Sequence, residues 1–460
     1  MVVLKIGRSE LGVKAAQSHT GALAGSAAVN SAAFRQYGAI EVDDLNELVA
    51  VSRLLSAPQR EKAGGLCIVT FSGGTAALAA DIAGAKGLSL AELSPATRER
   101  LQALLPGFAS IGNPVDTTAD ILRNPALLAQ CLQAICTDPN VDTVLFPIPM
   151  DYGAITEDMA RTLVAQAGVG DTLIVPVWMS RRLGAGFEVL DQAGLMPFMS
   201  ITDAIEAILK SGRVKAARQG AVTSSDASHH DLASGSERNA RALTEVQGKQ
   251  LLKAHGIDVP VGKLVTSPRE AASAAAEIGF PVVMKVVSAQ VPHKTEAGGV
   301  KLHIASANAA EQAFEDIQRA VKAYKPSAYI DGVLVEKMLP PGGREMLVGV
   351  HQDPAFGPVL TVGLGGIYVE VLKDVAHRVV PLSVDDAHEM LRELKTFALL
   401  EGIRGEAGAD MDALEALLLQ VSAFAQAQGE QLLELDLNPV WVGKRGQGVV
   451  ALDALVVQKN

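Results

Sequence analysis

The sequence predicts an α/β protein built on parallel sheets with helices on both faces, and three observations carry that prediction. Short apolar stretches at 66–71, 143–148 and 172–178 alternate with Ala- and Leu-rich helical patterns, the layout of a doubly wound sheet. A glycine-rich turn, Ser72-Gly73-Gly74-Thr75, joins the first of these strands to a helical pattern from Ala76 to about Lys86. Apolar residues make up 48% of 460, enough for several cores, and that length points to roughly three domains.

Taken in order, residues 2–6 read as a buried strand, followed by a turn at Gly7-Arg8-Ser9-Glu10. Helices are expected at 26–37 and 43–55, the second with Asp43 as N-cap and Leu45, Leu48 and Val49 on one face. Beyond the polar stretch at 58–62 come the strands named above, alternating with helical patterns near 124–136, 156–168 and 202–211. Asn113-Pro114-Val115-Asp116-Thr117-Thr118 falls on a loop, where its polar groups either line a cleft or cap a turn. Residues 213–240 lose apolar periodicity and read as a flexible linker, in which His229 and His230 are solvated rather than metal ligands. A third unit starts near 241, with a helix opening at Thr244-Glu245-Val246-Gln247, a strand beyond Gly256, and a helix near 268–278.

Composition excludes several classes of function. A net charge of −11 without a long basic run argues against a nucleic-acid partner. Cys67, Cys131 and Cys136 have neither metal-ligand spacing nor the pattern of a disulfide framework. No apolar run reaches the roughly eighteen residues of a membrane span, and the first residues turn polar too soon for a secretory signal. A soluble, cytoplasmic protein with no membrane partner is therefore expected.

Four stretches carry candidate chemistry. Ser18-His19-Thr20-Gly21-Ala22-Leu23-Ala24-Gly25-Ser26 holds one His among residues too small to pack as a core, just ahead of a helical pattern running to about Gln36. An imidazole at a helix mouth suits accepting a phosphoryl group, with helix N–H groups holding the phosphate; the same residues also suit a surface His in a flexible turn. Ser72-Gly73-Gly74 is either an anion-binding helix start or a structural tight turn, and it lacks the third glycine of a dinucleotide fingerprint. Lys285 lies in the apolar strand Phe280–Val287, where its charge is costly unless it meets an anion. Strand alternation puts Glu434, Asp436 and Asn438 on one face, with Asp453 one hairpin later: a Mg²⁺ site shared with phosphates, or a polar solvent face.

Five motifs in order then resemble one family. Val283-Met284-Lys285, His293-Lys294-Thr295-Glu296-Ala297-Gly298-Gly299-Val300, Val335-Glu336-Lys337, Gly363-Leu364-Gly365-Gly366 and Glu434-Leu435-Asp436-Leu437-Asn438-Pro439 resemble an ATP-grasp domain. The form is that of the NDP-forming acyl-CoA synthetases, relatives of succinyl-CoA synthetase. Lys5-Ile6-Gly7-Arg8-Ser9 and the His19 stretch resemble that family's phosphohistidine segment. Ser72-Gly73-Gly74 and Asn113-Pro114-Val115-Asp116 resemble its second ligase-CoA domain.

The resemblance implies flavodoxin-like ligase-CoA units at 1–57 and 58–212, a linker at 213–240, and a C-terminal ATP-grasp domain at 241–460. It implies an ADP-forming acid–thiol ligase that uses ATP, Mg²⁺ and CoA on a carboxylic acid, by way of phosphohistidine and acyl phosphate. His19 would be the phosphorylated nucleophile and His293 a second relay histidine. Lys285 would bind nucleotide phosphates, Glu336 would sit at the adenine hinge, and Asp436, Asn438 and Asp453 would hold Mg²⁺. Ser72, Gly73 and Gly74 would open a helix whose N-terminus faces the phosphoryl group. The chain departs from the family in entering midway through the phosphohistidine domain. The CoA-binding domain, and the acid that supports the phosphohistidine, would come from a partner chain, unless the gene start is misassigned or the product is a degenerate fragment; a CoA-binding subunit or a homo-oligomer is the expected assembly. Two other readings compete: an ATP-grasp ligase joining a carboxylate to an amine, and a catalytically degenerate regulatory homologue.

Overall fold

The computed structural model describes residues 1–20, 26–56, 65–167, 171–220, 240–291, 293–365, 374–402 and 407–460, without the side chains of 16–20 and 213–220. His229 and His230 lie outside the described residues. The chain opens with β1 (Val2–Leu4), α1 (Glu10–Thr20), α2 (Ala27–Gln36), β2 (Ile40–Val42) and α3 (Leu45–Ser56). There follow β3 (Gly65–Thr70), α4 (Gly73–Ala85), α5 (Pro95–Leu104), β4 (Val115–Asp116), α6 (Pro125–Cys136), β5 (Val141–Ile148), α7 (Ala154–Ala167), β6 (Leu173–Trp178), α8 (Ala185–Gln192) and α9 (Ile201–Gly220). Next come β7 (Ala240–Ala242), α10 (Glu245–Ala254), β8 (Gly262–Val265), α11 (Pro268–Ile278), β9 (Val282–Val287), β10 (Val300–Ile304), α12 (Ala307–Tyr324) and β11 (Gly332–Lys337). The last are β12 (Arg344–Asp353), β13 (Gly357–Leu364), β14 (Val375–Val379), α13 (Val384–Arg392), α14 (Phe397–Glu401), α15 (Met411–Gln428), β15 (Leu432–Val442), β16 (Val449–Ala451) and β17 (Leu455–Lys459).

Contacts divide the chain into two units: Met1–Lys5 with Gly38–Ser225, and Ile6–Tyr37 with Asp226–Asn460. In the first, β4, β3, β5 and β6 form a parallel sheet in that order. Alternate residues of β3 feed different cores, Cys67 and Val69 into one and Leu66 and Ile68 into the other. A strand covered on both faces must be apolar throughout, which is why it was readable as an unbroken apolar run. The short parallel pair β1–β2 adds Ile40 and Val42 to the second core.

Several local expectations change. Asn113 lies on a loop, as expected, but its side chain staples the sheet rather than lining a cleft or capping a turn. Its amide nitrogen donates to the carbonyls of Leu66 (2.8 Å) and Ala91 (2.9 Å), and its oxygen accepts from Ile68 N–H (3.0 Å). Val115 and Asp116 then pair with β3 as strand β4. Replacing Asn113 with Ala should cost the unit about 2–4 kcal/mol, read as a lowered urea midpoint, because backbone groups on a buried strand lose their partners. In α3 the cap is Asp44, whose carboxylate accepts from Glu47 N–H at 2.8 Å. The helix buries Val51, with Leu48 and Leu55 packed beside it, whereas Leu45 and Val49 are exposed. Helix α9 continues to Gly220, eight residues into the stretch read as linker.

The second unit holds two antiparallel sheets. The smaller runs β10-β9-β11-β8, and α11 and α12 close its core. The larger runs β14-β13-β12-β15-β17-β7, with β16 on β15 and with α13 and α15 against its apolar face. Helix α10 opens on a capping box, in which Thr244 accepts from Gln247 N–H and the Gln247 side chain accepts from Thr244 N–H.

Residues 18–20 are not a loop leading into a helix but the last turn of α1. Ser9 starts that helix, its hydroxyl accepting from Gly12 N–H at 3.1 Å. With only Leu11 and Val13 as larger apolar residues, α1 offers no stripe that periodicity could detect. Helix α2, capped by Ser26, docks on the larger sheet: Val29 and Ala33 bury against Val359 and Val379. The Gln36 amide donates to Val379 O (2.8 Å) and accepts from Val379 N–H (2.7 Å), and Arg35 pairs with Glu393 at 3.2 Å.

Candidate active site

The two sheets of the second unit enclose a cleft of about 580 Å³. Val283 and Lys285 reach it from β9, Val300 and Leu302 from β10, Glu336 and Lys337 from β11, and Trp441 from β15. Met338–Gly343 runs along one rim, and His293, Lys294 and Asp453 meet at another. An apolar slot bordered by one backbone segment, with cations and a carboxylate at the far side, matches the shape and charge of a nucleotide.

At the polar end lies a compact ionic cluster. Lys285 Nζ is 3.1 Å from Glu336 Oε2 and 3.3 Å from Glu245 Oε1, and donates to Leu452 O at 2.6 Å. Lys249 Nζ, one helical turn after Glu245, lies 2.8 Å from Glu245 Oε1, also pairs with Glu336, and donates to Leu452 O at 2.8 Å. Lys294 Nζ bonds Glu245 Oε2 and both oxygens of Asp453, each at 3.0 Å. Burial alone would raise the Glu245 carboxyl, but Lys285, Lys249 and Lys294 hold it well below the usual carboxylate range. Burial likewise works against the Lys285 ammonium, and Glu336, Glu245 and Asp453 overcome it, so Lys285 stays charged. Lys294 follows the same pattern through Glu245 and Asp453.

The expected residues fall into three places. Lys285, His293, Glu336 and Asp453 converge on the cleft. Glu336, 2% exposed, turns its carboxylate into the lysine cluster. Asp436 and Asn438 lie on the same face of β15, where Leu435 and Leu437 are buried on the other. The register between β12 and β15 shifts at Asn438-Pro439, a bulge that bends the strand beside the cleft. Asp436 is half-buried, without hydrogen bond or ion pair among the described residues, and burial, Glu434 and Asp453 all push its carboxyl up. Such strained negative charge suits a divalent cation. The described residues hold no group of three His, Cys, Asp or Glu arranged for a metal, but Mg²⁺ held together with phosphates needs only one or two carboxylates.

Ser72, Gly73 and Gly74 lie in the first unit, at the start of α4. Ser72 Oγ caps the helix by accepting from Thr75 N–H at 3.4 Å. A Cβ on Gly73 would sit 3.1 Å from Asp116 Oδ2, whereas one on Gly74 would meet nothing within 4 Å. A carboxylate thus already faces this helix start. His19 belongs to the last turn of α1, and its side chain lies outside the described residues, as do Gly21–Gly25 and Gly366.

Sequence reasoning missed Glu245 and Lys249, and gave Lys294 no role. An i,i+4 Glu–Lys pair in a first helical turn reads as an ordinary surface pair; only the tertiary fold buries it. It also missed His377, on the face of the larger sheet that α2 covers. Burial, His351, Arg35 and Arg378 lower His377 from 6.5 to about 4, and Thr361 Oγ1 lies 2.9 Å from its Nδ1. The folded state therefore binds fewer protons than the unfolded chain between these values. Stability should fall by about 2 kcal/mol as pH drops from 6.5 to about 4, and His377→Gln should flatten that slope in urea titrations across the window.

Comparison with known proteins agrees with this geometry. Residues 1–55 match a succinyl-CoA ligase like flavodoxin domain, 66–175 a ligase-CoA domain, and 235–457 an ATP-grasp domain. The chain is 38% identical over 462 residues to acetate–CoA ligase [ADP-forming] I of Archaeoglobus fulgidus, covering 98% of this chain and 65% of that protein. It is 32% identical over 464 residues to 4-hydroxybutyrate–CoA ligase [ADP-forming] of Nitrosopumilus maritimus, covering 99% and 66%. Over 219 residues it is 44% identical to acetate–CoA ligase [ADP-forming] II subunit beta of Pyrococcus furiosus, covering 48% of this chain and 92% of the subunit. The chain thus spans slightly under two thirds of the length of the single-chain relatives. Its three matched regions and its ATP-grasp cleft make it a member of the ADP-forming acetate–CoA ligase family.

Proposed function

We propose that this chain carries out the nucleotide-dependent steps of an ADP-forming acid–thiol ligase, converting a carboxylic acid, ATP and CoA into an acyl-CoA, ADP and phosphate. The single observation that best supports this is a histidine, His293, on the wall of the cleft that also holds Lys285, Lys294 and Asp453. An imidazole nitrogen of His293 attacks the γ-phosphorus, the bond from phosphorus to the bridging oxygen breaks, and ADP leaves. The phosphoryl group passes to His19 and from there to a carboxylate oxygen, giving an acyl phosphate. The CoA sulfur then attacks the acyl carbon and expels phosphate.

In this reading the apolar slot takes the base, and Lys285 and Lys294 balance phosphate charge. The start of α4, Ser72-Gly73-Gly74, takes the phosphoryl group at the acyl site. Asp436, Asn438 and Asp453 would hold Mg²⁺, which supplies charge neutralisation on the phosphates when bound. Positioning and charge compensation are what phosphoryl transfer requires of a protein. Three modules, 1–57, 58–212 and 241–460, divide the work. A CoA-binding partner subunit completes the acyl half-reaction; the relative named as a beta subunit supports a divided enzyme. Drawing on ATP and CoA supports a cytoplasmic enzyme; no described helix is long and apolar enough to cross a membrane.

Incubating the purified chain with Mg²⁺ and γ-labelled ATP tests the reading. Acid-labile, base-stable label on the wild type, absent from the His19→Ala/His293→Ala double variant, is expected. Robust labelling of the double variant would remove the histidine relay.

A further inference from the structure

We infer that Lys294 is a shared counter-ion: it holds Asp453 while the cleft is empty, and moves to nucleotide phosphates once a divalent cation takes Asp453. This rests on the assignment of Asp453 to the metal made above. Three ammonium groups, Lys249, Lys285 and Lys294, face three carboxylates, Glu245, Glu336 and Asp453. Within this cluster charge is therefore balanced, so none of its three ammonium groups meets phosphate without giving up a carboxylate; among the described residues Lys337, on the cleft wall, bonds only the carbonyls of Gly279 and Phe280.

The three lysines are not equivalent. Lys249 is buried between two glutamates and a carbonyl, with no path to the cleft. Lys285 is fixed on β9 by Glu336, Glu245 and Leu452 O. Lys294 alone of the three lies outside helix and strand, between β9 and β10, and binds both oxygens of Asp453, the cluster's most exposed carboxylate. With both Asp453 oxygens bonded to Lys294, a cation arriving at Asp453 competes with that ammonium for the same charge. Glu245 then keeps Lys294 from leaving the site, since it grips the same ammonium from the buried side. Metal binding thus releases one positive charge next to where phosphates arrive, and the adjacent residue on that loop is His293. Cation and nucleotide would favour each other through this lysine, beyond their direct bond.

Two titrations read opposite signs. Lys294→Met should tighten Mn²⁺ binding to the nucleotide-free chain by about tenfold, because a competitor is removed, and weaken binding of Mn²⁺·ADP by a similar factor. Lys294→Gln, shorter and neutral, should give the same pair of signs, whereas a folding defect weakens both. Unchanged or weaker Mn²⁺ binding in both variants would overturn the shared counter-ion. Asp453→Asn separates the two levels. If it weakens Mn²⁺ binding while the Lys294 variants do not tighten it, the metal assignment stands and the shared lysine falls. If it leaves Mn²⁺ binding unchanged, both fall.

Discussion

Lys285→Met should cost the C-terminal unit about 3–5 kcal/mol and abolish ADP binding. The side chain is 12% exposed and bridges Glu336, Glu245 and the Leu452 carbonyl. Methionine keeps the volume but takes one ammonium from a balanced cluster, leaving buried carboxylate charge with fewer partners. The loss should show as a lower urea midpoint at pH 7. It should shrink in acid, where the sign follows from Glu245. Its folded carboxyl lies below the ordinary value of 4.5, so its stabilising contribution is present above that value and disappears as pH falls beneath it. Lys285→Arg separates charge from geometry: it should recover much of the stability but little ADP affinity, because a planar guanidinium cannot place one point charge between three acceptors. Equal ADP affinity for wild type and Lys285→Met, by calorimetry with Mg²⁺ present, would exclude Lys285 from the nucleotide site.

The second large effect concerns the order of the two histidines. His293→Ala should reduce phosphoryl incorporation by at least about 10³-fold, because in the proposed relay this imidazole is the nucleophile toward the γ-phosphate. His19→Ala should leave label that is trapped on His293 and fails to reach an added carboxylic acid. Rapid-quench labelling followed by peptide mapping distinguishes the two variants. Full incorporation on His19 in the His293→Ala protein would mean direct transfer from nucleotide to His19. Since His293 is exposed on its loop, its substitution should leave the urea midpoint near that of wild type, so lost label would not reflect lost fold.

The fold was legible wherever burial forces a pattern. Strands β3, β5 and β6 are covered on both faces and had to be apolar runs; β15 shows its alternation because only one face is covered. Helix α10 announced itself through its Thr244-Glu245-Val246-Gln247 opening. Helix α1 did not, because a segment of small residues makes a helix without a stripe. Half of the candidate cleft was legible for a related reason: a lysine in an apolar strand and a carboxylate in a Leu-rich one are locally improbable, and so stand out. Glu245 and Lys249 are ordinary residues at ordinary positions in a helix. Their significance arises from packing against β11 and the segment before β17, a contact between residues 87 positions apart for Lys249 and Glu336. No window of sequence contains that information. Helix α5 went unread because only its Ser94-Pro95 start marks it.

The bond pair between Gln36 and Val379 reaches further than holding a helix in place. Strand β14 is the margin of a large sheet, and a bare margin offers unsatisfied amides to any extended chain that drifts by. Here a glutamine side chain fills both valences of one margin residue, as a peptide group would, without supplying a strand that others could extend. Helix α2 is therefore also a guard rail: any change that lifts it uncovers a place where one molecule could stick to another.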